Sequence, residues 1–217
     1  MQTRMMTPIV TRMRTLIMND LSRRHLIAAG VAAVALGGTP APSVALTDSA
    51  AKQLVNRVVD EINKVIASGR SQSSMIRDFE RIFARYADVN IIARSTLGPD
   101  SRRASAAQMR AFTDAFRGYI ARKYGKRFNE FVGGEIEVKD VRRVKSWHEV
   151  RSTVYLRGEA PFEVLFLVSD RSGKDLFFDM VIEGVSLRLS ERTEIGAMLD
   201  RRQGNIDALI QDLRSAG

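Results

Sequence analysis

The sequence predicts an α+β fold in which helices come first, an open antiparallel sheet follows, and two helices close the chain. Three observations support this prediction. Apolar residues recur with helical spacing between residues 54 and 131, alternate with a period of two between residues 135 and 183, and return to helical spacing after residue 194. Gly133-Gly134 separates the first two patterns. We therefore expect a sheet with one face covered by helices.

Four helices are expected before the sheet. The first ends near Ser68-Gly69, the short third stops at Gly98-Pro99, and Ser105 caps a long fourth helix. The first carries Leu54, Val55, Val58, Val59, Ile62, Val65 and Ile66, the second Met75, Ile76, Phe79, Ile82, Phe83 and Tyr86, the third Ile91, Ile92 and Leu97, and the fourth Met109, Phe112, Phe116, Tyr119, Ile120, Tyr124, Phe128 and Phe131.

Four strands are expected at about residues 135–144, 149–157, 161–169 and 174–183, with residues 170–173 forming a hairpin turn. Alternation places side chains on shared faces of these strands. One face carries Ser152, Val154 and Leu156 of the second strand, Phe162, Val164, Phe166 and Val168 of the third, and Phe178, Met180 and Ile182 of the fourth. Two helices at about residues 194–201 and 206–213 complete the chain.

The first 45 residues have the pattern of an export signal. Arg23-Arg24 precede a short apolar run, and Ser43-Val44-Ala45 is a small-residue cleavage site. The run is about 11 residues, whereas a membrane-spanning helix needs roughly 20. We expect cleavage after Ala45 and a periplasmic domain of residues 46–217. The paired arginines resemble a twin-arginine signal, with general export as the alternative, and either Met1 or Met18 can be the start.

The charge of the predicted mature domain is mildly positive. The formal net charge of the whole chain is +9, but residues 1–45 hold five of the 34 basic and one of the 25 acidic residues, which leaves +5. A solvated basic surface is the expected role, and attraction to anionic headgroups or an acidic partner is the alternative. The basic residues are scattered and no nucleic-acid motif occurs, so no nucleic-acid partner is predicted.

The sequence does not predict an enzyme or a metal site. Without cysteine there is no disulfide, thiolate nucleophile or acylated cysteine. His148 is the one histidine of the predicted mature domain and is expected in a surface turn, so it cannot form a multi-histidine metal site. No nucleophile elbow, phosphate loop or dinucleotide motif occurs, and no cofactor is predicted. Asp179 and Glu183 are predicted on one side of a strand. They could act as an acid and a base only with a third group and a pocket, and a structural or solvated role is expected.

The candidate functional residues are bulky and apolar. They either fill a core or line a cavity, and the pattern alone does not separate these two roles. The residues assigned to a cavity are Phe112, Phe116, Tyr119 and Phe128 on the long helix and Val154, Phe166, Phe178 and Met180 on the sheet.

Four stretches resemble one protein family. The run from Asp179 to Leu187 (DMVIEGVSL) resembles a hallmark of the MlaC / toluene-tolerance family of periplasmic lipid carriers. Residues 83–98, 112–119 and 204–210 are similar to that family in order and spacing, so the resemblance covers roughly residues 50–214. This sequence differs from the family pattern at Asp175, where family members often carry tryptophan.

The resemblance implies both a fold and a function. The fold is a twisted four-stranded sheet like the nuclear-transport-factor roll, with a helical part at residues 46–132 and the sheet and C-terminal helices at 133–217. The function is to hold phospholipid tails between sheet and helices and to shuttle the lipid between an outer-membrane lipoprotein complex and the substrate-binding ring of an inner-membrane ABC transporter, which maintains outer-membrane asymmetry. A hopanoid-associated branch leaves a polycyclic ligand open, and a ligand-free envelope adaptor is a further alternative. Partner contacts are expected at Arg102, Arg103, Arg142 and Arg143.

Overall fold

The computed structural model describes residues 45–217, without the side chains of Phe128 and Asn129. The predicted export signal therefore lies outside the described residues, apart from Ala45. The described residues contain six α-helices: α1 (Asp48–Ile66), α2 (Gln72–Tyr86), α3 (Val89–Leu97), α4 (Ala106–Gly125), α5 (Leu187–Arg201) and α6 (Ile206–Ser215). Two 3-10 segments, Gly98–Arg102 and Lys126–Phe131, follow α3 and α4. None of these helices is long and apolar enough to cross a membrane.

Side-chain caps fix where most of the helices begin. The Thr47 hydroxyl accepts a hydrogen bond from the backbone N–H of Ala50 at the start of α1. Asp88 and Asn205 cap α3 and α6 in the same way. Ser105 forms a reciprocal capping box with Gln108 at the start of α4. These caps satisfy N–H groups that have no partner within the helix, so the helix starts follow from local sequence.

The sheet is an antiparallel meander with strand order β1-β2-β3-β4-β5. Its strands are β1 (Glu135–Val144), β2 (Trp147–Tyr155), β3 (Phe162–Ser169), β4 (Leu176–Ile182) and β5 (Val185–Ser186). The α+β prediction is confirmed, and the short β5 adds a fifth strand to the four expected. The β2–β3 connection, the β4–β5 turn and the start of β1 all lie at one end of the sheet, because consecutive strands run antiparallel.

Two helix boundaries differ from the prediction. The helix α4 ends at Gly125 rather than near Gly133, where the chain passes α2 so closely that a Cβ atom on Gly125 would lie 2.8 Å from Cγ1 of Ile76. The helix α5 begins at Leu187, well before residue 194, because the Ser186 hydroxyl accepts a hydrogen bond from the N–H of Leu189 and caps it. Both boundaries depend on neighbouring elements or on a polar cap that apolar spacing does not reveal.

The core lies between the helices and one face of the sheet. The helix α1 packs on β1, β2 and β3, α2 packs on α1 and α4, and α6 packs on the other side of α4. Ser152 and Val154 of β2 are buried on this face, as alternation predicted, and Val150 is buried as well. The helix α4 is therefore covered on more than one side, so an aromatic residue of α4 can be buried without facing the sheet.

Candidate functional site

A cavity of about 380 Å³ lies between the sheet and the helices. Its size falls within the range of roughly 300–1,000 Å³ that is usual for small-molecule sites. Most of its wall is apolar. The apolar lining consists of Val58 and Ile62 of α1, Phe79, Ile82 and Phe83 of α2, Ile120 of α4, Phe131, Ile136 of β1, Val154 and Leu156, Phe162, Val164 and Phe166 of β3, Phe177, Met180 and Ile182 of β4, and Leu187 of α5.

The sheet wall is built from cross-strand pairs. Val154 of β2 stands opposite Phe162 of β3, and Phe166 stands opposite Met180 of β4. All four side chains line the cavity. Alternation placed Val154, Phe166 and Met180 on this face, and the structure places them there. Since successive side chains of a strand point to opposite faces, the pairs form one continuous apolar surface.

A β-bulge at Phe178 changes which phenylalanine of β4 faces the cavity. Phe177 pairs with Val168 and Asp179 pairs with Leu167, so Phe178 has no partner on β3. An extra residue reverses the alternation at that point. Phe177 therefore lines the cavity, whereas Phe178 lies edge-on to Trp147, with the ring centroids 6.3 Å apart. The placement of Phe178 on the cavity face was wrong, because a bulge cannot be read from strict alternation.

Three of the α4 residues assigned to the cavity do not line it. Phe112, Phe116 and Tyr119 are almost fully buried, but they pack against one another in the adjoining core. The cavity wall is formed instead by Ile120 and Tyr124. The prediction failed because α4 is buried on several sides, and helical spacing shows which residues are buried without showing which neighbour they meet. The side chain of Phe128 lies outside the described part of the structure.

The helix α2 supplies the helical wall that was assigned to α4. Its residues Phe79, Ile82 and Phe83 line the cavity, and the ring of Phe83 lies beside that of Phe177 of β4, with the centroids 6.2 Å apart. Their 3.6-residue spacing was visible in the sequence as a helical stripe. The signal for burial was therefore present, but the choice between α2 and α4 depends on how the helices dock on the sheet.

Charged side chains occur at one end of the cavity. Glu159 lies in the β2–β3 connection, Glu183 lies in the β4–β5 turn, and Arg127 and Glu130 lie in the 3-10 segment that precedes β1. Arg127 and Glu130 form an ion pair with a nitrogen–oxygen distance of 3.0 Å. These four residues mark the mouth of the cavity, since they share the end of the sheet at which β1 starts and β2 and β4 finish.

A polar network centred on the buried Glu191 lies behind Tyr124. The ring of Tyr124 lines the cavity, and its hydroxyl donates a hydrogen bond to the carboxylate of Glu191 on α5. Lys123 Nζ donates to the same oxygen of Glu191 at 2.8 Å and also pairs with Glu194. Burial and the hydrogen bond to Glu191 raise the pKa of Tyr124, so its hydroxyl remains a donor. The network joins the cavity wall to α5.

A sequence profile of the MlaC protein family matches residues 52–215. This chain belongs to the MlaC family. The profile spans both the helical layer and the sheet, including all the residues that line the cavity. A solved structure of a phospholipid-binding protein from Ralstonia solanacearum, in complex with a phospholipid, resembles this MlaC family protein with a TM-score of 0.65. The two chains are 20% identical, and the match covers 75% of this chain and 94% of that chain, so they share a fold.

The run of residues 179–187, which carried the resemblance to MlaC, has a structural role in this protein. The buried carboxylate of Asp179 accepts hydrogen bonds from the backbone N–H groups of Met180 and Arg188 and from the Ser186 hydroxyl. Asp179 thereby joins β4 to the start of α5. Glu183 instead lines the mouth of the cavity. The two carboxylates do not share one side of β4, contrary to the prediction, because Glu183 lies in the turn beyond the strand.

His148 also differs from its predicted position in this MlaC family protein. It lies within β2 and is 4% exposed, not in a surface turn. Its Nε2 atom lies 3.0 Å from Oδ1 of Asp48 at the start of α1. Within residues 45–217 no cluster of histidine and carboxylate side chains is arranged to hold a metal ion. His148 therefore connects β2 to α1.

Proposed function

We propose that this protein is a lipid carrier that encloses acyl chains in the cavity between its sheet and helices. The observation that carries this proposal is the distribution of polarity around the cavity. Apolar side chains from four strands and four helices form most of the walls, whereas the charged residues Arg127, Glu130, Glu159 and Glu183 are confined to the mouth. A lipid has the same division between apolar tails and a charged head.

The free energy of tail burial explains why a carrier needs such a cavity. Each methylene group removed from water contributes about 0.8 kcal/mol. A carrier can take a lipid out of a bilayer only if its own walls shield most of the chain as well as the bilayer does. A ligand-free adaptor is expected to have a fully packed interior and would not contain this cavity.

The comparisons support a phospholipid as the ligand. The chain belongs to the MlaC family, and the Ralstonia protein of the same fold was solved with a phospholipid. A hopanoid is the alternative ligand, because its polycyclic skeleton is also apolar. An enzymatic role for Asp179 and Glu183 is not favoured, since the hydrogen bonds of Asp179 tie it to α5 away from the cavity.

Within this proposal the protein is exported, cleaved after Ala45 and carries lipid through the periplasm. Its partners are an outer-membrane lipoprotein complex and the substrate-binding ring of an inner-membrane ABC transporter, and the exchange maintains outer-membrane asymmetry. The candidate contact residues differ in their surroundings. Arg142 pairs with Glu149 and Arg103 pairs with Asp100, so Arg102 and Arg143 are better placed to meet a partner.

Native mass spectrometry of the exported protein tests this function. We expect an added mass that disappears on organic extraction, and lipid analysis of the extract identifies it. Two acyl chains on a phosphate-bearing head support the phospholipid, whereas a polycyclic triterpenoid identifies the hopanoid alternative. A protein that carries no lipid and takes up none from vesicles contradicts the proposal.

A further inference from the structure

We propose that the mouth of the cavity selects phospholipids whose headgroup carries a nitrogen cation beside the phosphate, over phospholipids whose headgroup is only anionic. This inference rests on the proposed function, because it requires that the acyl chains occupy the cavity. It concerns a different part of the site, namely Arg127, Glu130, Glu159 and Glu183 at the mouth.

The headgroup must lie at the mouth once the tails are inside. The remaining wall is apolar apart from the Tyr124 hydroxyl, which is already bonded to Glu191. Placing a phosphate among these side chains would remove its water without supplying hydrogen-bond donors, which is unfavourable. The charged residues of the mouth are therefore the protein groups that a headgroup meets.

The mouth carries more negative than positive charge. Its four charged residues are one arginine and three glutamates. Arg127 is paired with Glu130. Among the described residues, no ion pair or side-chain hydrogen bond involves the carboxylates of Glu159 and Glu183. A phosphate can bind Arg127, but a cation in the headgroup is needed to balance the carboxylates.

Glu183 is held firmly at this position. It occupies the left-handed backbone region with φ of 47°, and Gly184 follows with φ of 82°. The N–H of Glu183 donates to the carbonyl of Glu163 at 3.1 Å, so its backbone is tied to β3. Paired positive φ angles are those of a tight hairpin turn. The turn therefore fixes the backbone of Glu183 beside the end of β4, and Glu183 lines the mouth from there.

The local charge opposes the charge of the whole domain. Residues 46–217 carry a net positive charge, which by itself would favour anionic lipids at a distance. Close to the headgroup the unpaired carboxylates dominate, because interactions between charges weaken with distance and are screened by salt. Two unpaired carboxylates in a hydrated mouth correspond to a preference of roughly threefold to tenfold at low ionic strength.

A competition experiment tests the selection. The exported protein is stripped of lipid and offered vesicles that contain equal amounts of phosphatidylethanolamine and phosphatidylglycerol with identical acyl chains. Bound lipids are counted by mass spectrometry. We expect phosphatidylethanolamine to be enriched about threefold to tenfold at low salt, with the enrichment shrinking as salt is raised.

Matched variants assign the effect to the mouth. Glu159→Gln combined with Glu183→Gln should bring the ratio close to one, and each single change should have an intermediate effect. The control is Asp60→Asn combined with Asp200→Asn, which removes the same charge from exposed helix positions outside the cavity and should keep the enrichment.

Equal loading of the two lipids by the unaltered protein, a preference for phosphatidylglycerol, or the same change in the control variant would overturn the selection while leaving the carrier function intact. Failure to load either lipid would overturn the carrier function, and the selection with it.

Discussion

The hydroxyl of Tyr124, on the wall of the cavity, donates a hydrogen bond to the carboxylate of Glu191, which is 1% exposed. This bond connects α4 to α5, and the start of α5 supplies Leu187 to the same cavity. The second oxygen of Glu191 has no hydrogen-bond partner within the described residues. The pairing with Tyr124 and Lys123 therefore compensates for burying the charge of Glu191.

Removing the Tyr124 hydroxyl tests this connection. Tyr124→Phe keeps the ring on the cavity wall but takes a donor from a buried carboxylate. We expect the free energy of unfolding to fall by about 1–2 kcal/mol, with lipid still bound. Chemical denaturation measures the first quantity and native mass spectrometry the second. An unchanged free energy of unfolding would show that the hydrogen bond makes no net contribution to stability.

Glu194 makes the stability of the protein depend on pH. Burial raises the pKa of Glu194, but hydrogen bonds from Lys123 and Tyr119 outweigh it, so the pKa lies below the ordinary glutamate value. A lowered folded-state pKa means that ionised Glu194 stabilises the fold above the ordinary value and that this contribution is lost as the pH falls through the folded-state pKa. Glu194→Gln should therefore lower the melting temperature at pH 7 and have little effect at pH 3. An equal loss at both pH values would contradict this assignment.

Two valines of β2 allow the cavity and the packed core to be compared. Val154 lines the cavity, whereas Val150 is equally buried but lies outside the lining. Phenylalanine adds volume without adding a polar atom. We expect Val154→Phe to lose bound lipid while its melting temperature is nearly kept. Val150→Phe should overpack the core, which costs about 1–3 kcal/mol. Thermal melting and lipid quantification on both variants provide the comparison, and a reversed order of effects would place the cavity elsewhere.

The aromatic stripe of α4 provides a second test of the lining. Phe116→Ala leaves a hole in packed core and should cost about 3–5 kcal/mol, but the lipid bound per folded molecule should not change. The matched substitution Phe166→Ala alters the cavity wall directly and should change lipid uptake. If Phe116→Ala stripped lipid from a folded protein, the original assignment of this stripe to the ligand would be correct after all.

Cleavage after Ala45 would create a new ion pair. The backbone nitrogen of Leu46 lies 3.1 Å from Oδ2 of Asp170, and after cleavage this nitrogen becomes an α-ammonium group. A charged hydrogen bond is stronger than a neutral one. Asp170→Asn should therefore lower the melting temperature of protein that begins at Leu46 more than that of protein that retains Ala45. N-terminal sequencing verifies the two forms, and equal effects would argue against the ion pair.

Local sequence determined most of the fold. Helical spacing located α1 to α4 and α6, and alternation located β1 to β4, because both patterns reflect which side chains each element must bury. Ser105 marked the start of α4, since its side chain satisfies a neighbouring N–H group. Val154, Phe166 and Met180 were placed on the cavity face for the same reason, since a regular strand alternates its side chains.

Tertiary structure decided what the remaining residues do. The bulge at Phe178 depends on the register between β3 and β4. Because of it, Phe177 faces the cavity and Phe178 does not. The helices α2 and α4 both carry apolar stripes, and only their docking on the sheet shows that Phe83 meets the cavity while Phe116 meets the core. Periodicity records that a side chain is buried, but its neighbours are set by contacts between residues far apart in the chain.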